Sequence, residues 1–76
     1  MTKRQRAQVV ELLRCGADIN SLALAGVVPR PGTDDWQAWE AKRAIQTEHP
    51  NQSDTNEGYR WLLLEAAARV EEGSWP

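Results

Sequence analysis

The chain has 76 residues, a net charge of −2 at neutral pH, and 41% hydrophobic and 26% charged residues. That length makes one domain, spanning residues 1–76, whose single core leaves a margin of roughly 3–5 kcal/mol. One cysteine, Cys15, excludes an internal disulfide, and Cys15 with the lone His49 falls short of a four-ligand zinc site.

The first expected helix runs from about Lys3 to Cys15. Thr2 is placed to cap it, with Gln5 three residues on, and Gly16 to end it. At 100° per residue, Val9, Val10, Leu12, Leu13 and Ala17 share one side, while Gln8, Glu11 and Arg14 share the other. The segment "ADINSLALAGVVPRPGT" follows as a connector. Asp18 or Asn20 can cap a short fourth helix within it, ended by Gly26, before "PRPG" forbids continuation. Leu22, Leu24, Val27 and Val28 are apolar enough that this segment is expected to pack over the core.

A second long helix starts at Thr33 or Asp34 and runs to about Glu48, with Asp34 and Asp35 complementing the helix dipole in its first turn. "HPNQSDTNEG" reads as a polar turn region. The third helix begins near Asp54, with Glu57 completing a capping box, and Gly73 closes it after Glu72. Gly58 costs this helix about 1 kcal/mol of intrinsic stability relative to Ala. These patterns predict an all-α fold, a small three-helix bundle with a short fourth helix in the first connector.

Two of the helices carry apolar residues on two sides. In the last, Tyr59, Leu62, Leu63, Ala66 and Val70 form one stripe, and Trp61, Leu64 and Ala68 form another. In the middle helix, Ala38, Ala41 and Ile45 form a small-residue stripe. Trp36 and Trp39 form a second, near Arg43. One apolar stripe suffices for a surface helix of a monomer. The structural account is that the tryptophans cap the ends of the core, with Arg43 stacked on an indole. The functional account is that one pair meets a partner protein, since Trp and Arg dominate interface energetics. Trp36, Trp39 and Arg43 are expected to meet a partner, the connector to cover Trp61 and Leu64, and Trp75 to fold back over an end of the bundle.

Charge is split along the chain. Residues 1–32 hold five basic side chains against two acids, and residues 33–76 hold four against nine. Lys3, Arg4 and Arg6 at the start are therefore candidates for contact with a partner, and intramolecular complementarity with the acidic remainder is the simpler account. No apolar run follows the basic start, so neither a signal peptide nor a membrane span is expected, and the reading is a cytoplasmic protein.

Catalytic chemistry finds no support. Cys15 is expected at the C-terminal end of a helix, where the dipole does not activate a thiol, and His49 lies beside a proline. No phosphate loop, nucleotide fingerprint or metal cluster is present, so no enzyme activity, cofactor or metal is expected. "RAQVVELLRCGADINSLALAGVVPRP" loosely resembles the first two helices of a helix-turn-helix. The segment that should then read bases is "PRPGTDDW", proline-broken and acidic, which disfavours nucleic-acid binding.

Two blocks, "RAQVVELLRCGAD" and "LLLEAAARVEEGSWP", resemble a family of small proteins encoded by tailed phages and prophages of beta- and gammaproteobacteria. The resemblance covers about the first and last quarters of the chain and carries over no active site. It implies a phage-borne accessory protein made in the bacterial cytoplasm. Its expected role is binding and modulating a host protein complex, with the transcription machinery (RNA polymerase) ahead of a defence complex. A DNA-binding helical regulator and a self-associating structural protein are the alternatives.

Overall fold

Thr2 starts the first helix as its position suggests: its hydroxyl oxygen accepts the Gln5 backbone N–H at 3.0 Å, satisfying a donor that every helix start leaves without a partner. The computed structural model describes residues 1–19 and 29–75. They form three helices, α1 (Lys3–Ile19), α2 (Asp34–Glu48) and α3 (Asn56–Glu72), with a short 3-10 helix, Pro50–Asp54, before α3. No strand occurs among the described residues, and the architecture is the expected all-α three-helix bundle. The fourth helix expected before Gly26, and the packing of Leu22, Leu24, Val27 and Val28, lie outside the described residues.

Two helix boundaries differ from the sequence reading. Gly16 does not end α1, which continues to Ile19. Gly16 is buried, and a Cβ placed on it would lie 3.5 Å from Leu63 Cδ1, so the helix continues against α3 there. A glycine inside a helix costs about 1 kcal/mol relative to Ala, and packing of the fully buried Ala17 just beyond it offsets that cost. At the start of α3, the cap is Thr55 rather than Asp54. The Thr55 hydroxyl accepts the Gly58 N–H at 3.0 Å, and Asp54 belongs to the preceding 3-10 helix. Glu57 still falls in the first turn, where its charge complements the helix dipole.

Gly58 has a specific reason to be glycine. A Cβ there would run into the backbone carbonyl of Gln52, so the close return of the 3-10 helix onto α3 requires its absence. The start of α2 follows the sequence reading. Thr33 accepts the Trp36 N–H at 3.1 Å and donates its own hydroxyl proton to the Arg30 carbonyl at 2.8 Å. Gly32, at φ 88°, makes the turn that feeds it.

Arg6 lies beside Gly73 and Gly16 beside Leu63, so α1 and α3 run antiparallel. Gly73, in the left-handed conformation at φ 83°, ends α3. Ser74 and Trp75 then fold back, donating their backbone N–H groups to the Arg69 carbonyl at 3.1 and 3.3 Å. Trp75 is partly buried against the core, as expected from the sequence.

The core is built from Val9, Val10, Leu13 and Ala17 of α1, Ala38, Ala41 and Ile45 of α2, and Tyr59, Leu62, Leu63, Ala66, Ala67 and Val70 of α3. Burying an aliphatic side chain of this size contributes about 1.5–3 kcal/mol before conformational entropy is set against it. The alanines let backbones approach, and the radius of gyration is 11.2 Å, close to the roughly 11 Å of a well-packed chain this long. Ion pairs at the surface tie the helices: Arg14 to Glu71 at 2.9 Å, and Arg69 to Glu48 at 2.8 Å. The Arg69 guanidinium holds the Glu48 carboxyl below the ordinary carboxylate range.

Candidate functional site

The cap at Thr33 fixes Trp36 in the first turn of α2, and Trp39 follows three residues later on the same side. Their rings stack with centroids 5.1 Å apart and planes at 28°. The Arg43 guanidinium, one turn on, lies 5.3 Å over the Trp39 ring. The three expected partner-binding residues of α2 thus form one cluster, held by stacking and a cation–π contact. Both indoles are half-buried.

Lys42 is the residue of this helix that the sequence reading missed. It is 6% exposed and shares the buried face with Ala38, Ala41 and Ile45. The signal was available, since Lys42 stands four residues after Ala38 and three before Ile45, on the small-residue stripe. Its ammonium donates to Gln46 Oε1 at 3.3 Å and lies 5.8 Å from the centroids of both Trp39 and Tyr59. Burial, and secondarily the charge of Arg43, lower its pKa.

The connector expected to cover Trp61 and Leu64 lies outside the described residues. The two are 38% and 41% exposed, the largest exposed hydrophobic side chains of α3. The reason is angular: α3 turns Tyr59, Leu62, Leu63, Ala66, Ala67 and Val70 toward the other helices, and all six are buried. The opposite side carries Trp61, Leu64 and Ala68, all three exposed. The ring of His49, which caps the end of α2, meets the Trp61 ring edge-on at 5.1 Å and 86°. Trp61 and Leu64 are thus more open than Trp36 and Trp39.

The basic start is divided. Lys3 and Arg4 are exposed. Arg6 is half-buried with its guanidinium against the end of α3 at Gly73, and its Nε has no hydrogen-bond partner among the described residues. Arg14 is already paired with Glu71. Part of the charge asymmetry along the chain is thus satisfied within the fold, between Arg14 in the second half of α1 and Glu71 at the end of α3. Among the described residues, no hydrogen bond or ion pair links Lys3, Arg4 or Arg6 to the Trp36–Trp39–Arg43 cluster.

No group of three or more His, Cys, Asp or Glu side chains among the described residues is placed to hold a metal ion. No described helix is long and apolar enough to cross a membrane. No protein-family model, curated protein or solved structure matches the chain.

Proposed function

We propose that this is a small, non-enzymatic, phage-derived protein that binds a host protein complex through the Trp61–Leu64 face of α3 and modulates it. The observation that carries the reading is the exposure of Trp61 and Leu64, three residues apart on one helix, opposite a stripe that already fills the core. An exposed indole beside an exposed leucine is an anchor of the kind that dominates protein interfaces. Arg60 and Glu57 are also exposed and supply a polar rim. The resemblance of the first and last quarters to phage and prophage proteins supports a partner in the bacterial cytoplasm, and we favour the transcription machinery over a defence complex. The acidic second half of the chain suits a partner surface that normally meets nucleic acid.

The test is capture from a bacterial lysate on the immobilised protein, followed by rebinding of purified RNA polymerase. The wild-type chain retains the polymerase, and the Trp61→Ala/Leu64→Ala variant does not. Equal retention by both would remove the face from the account. A duplex-DNA shift that weakens steeply with salt would favour the DNA-binding alternative instead.

A further inference from the structure

Among the described residues, α1, α2, α3 and the Pro29–Arg30 segment line a cleft of about 460 Å³. Leu12, Leu13, Leu63, Trp39 and Tyr59 give it apolar walls, and three charged residues line it: Arg30, Asp35 and Lys42. The cations outnumber the acid, and the two are differently placed. Arg30 and Asp35 are exposed at the rim, whereas Lys42 is 6% exposed.

Lys42 is unusual for its position. A charge taken out of water is normally compensated by a carboxylate, yet among the described residues no carboxylate lies within ion-pair distance of it. It has one amide oxygen, Gln46 Oε1, and two aromatic faces, Trp39 and Tyr59, each at 5.8 Å. Those contacts reduce the desolvation cost without supplying a counter-charge. The cleft thus joins apolar walls of ligand-sized volume to one inward cation, the arrangement that fixes a small molecule by its acidic end. We infer that the cleft binds a small amphiphilic carboxylate, its chain against Leu12, Leu13 and Leu63 and its head group on Lys42. This site is separate from the Trp61–Leu64 face, and the inference does not depend on a protein partner.

Decanoate below its micelle concentration is the probe, and decanol is its neutral counterpart. Titration calorimetry of the full chain is expected to give saturable decanoate binding at one per chain. Lys42→Met, which keeps the length of the side chain and removes the charge, weakens decanoate at least tenfold and leaves decanol unchanged. Amide chemical shifts of Leu13, Tyr59 and Leu63 move in step with the calorimetric saturation, which also verifies that wild type and variant are folded. No saturable heat overturns the proposal. So does equal decanoate affinity in Lys42→Met, or shifts confined to residues away from the cleft.

Discussion

Two single residues carry more of this structure than their types suggest. In the sequence Gly58 looks like a weak point in a helix, where Ala would be the better former by about 1 kcal/mol. In the structure, alanine at 58 would collide with the Gln52 carbonyl. Gly58→Ala is therefore expected to lower the unfolding free energy by about 2 kcal/mol, within the range of overpacking, measured by urea denaturation; a gain would mean that the 3-10 helix moves away freely. Lys42 is the converse case, a charge held where a hydrophobe would fit. Its folded-state pKa is lowered, so the unfolded chain binds more protons than the folded one as pH rises from neutral toward the ordinary lysine range. Stability contributed at this position rises with pH across that window. Lys42→Met is expected to raise the melting temperature at neutral pH by about 4–8 °C, the shift of roughly 1 kcal/mol in a domain this size. The difference from wild type should narrow as the lysine titrates.

At the scale of the elements, what the sequence made legible follows from local chemistry. Thr2 and Thr33 cap where hydroxyl residues precede amphipathic periodicity, and Gly73 ends α3 in the left-handed conformation that favours glycine. The core stripes of α2 and α3 were readable at 100° per residue, because Ala38, Ala41, Ile45 and Tyr59, Leu62, Leu63, Ala66, Val70 are all buried. Where local signals compete, tertiary contact decides. Gly16 reads as a stop, but the packing of α1 on Leu63 carries the helix through it; Asp54 and Thr55 are both good caps, and the 3-10 helix consumes the first. The caps themselves are testable. Thr33→Ala and Thr55→Ala should each cost about 1 kcal/mol, read by urea denaturation. Thr33→Ala should be the costlier of the two, because it also removes the bond to the Arg30 carbonyl.

For the whole molecule, the question was how a chain this small uses four tryptophans. Trp75 closes an end of the bundle, Trp36 and Trp39 stack half-buried under Arg43, and Trp61 stands out beside Leu64. The two-stripe pattern was visible in the sequence, but which second stripe stays open was not, because that depends on where the other helices end rather than on either helix alone. The assignment predicts that Trp36→Ala/Trp39→Ala lowers the melting temperature, since it removes a stacked pair worth about 0.5–1.5 kcal/mol beyond its burial. Trp61→Ala/Leu64→Ala should change stability far less, as substitutions away from packed contacts do. The central claim is that the Trp61–Leu64 face is the interaction surface. Its most direct test is the dissociation constant of purified bacterial RNA polymerase for the wild-type chain and for the folded Trp61→Ala/Leu64→Ala variant. The account predicts a weakening of at least about thirtyfold, the loss of one interface hot spot of 2 kcal/mol or more; an unchanged constant, or no binding by the wild-type chain, would contradict it.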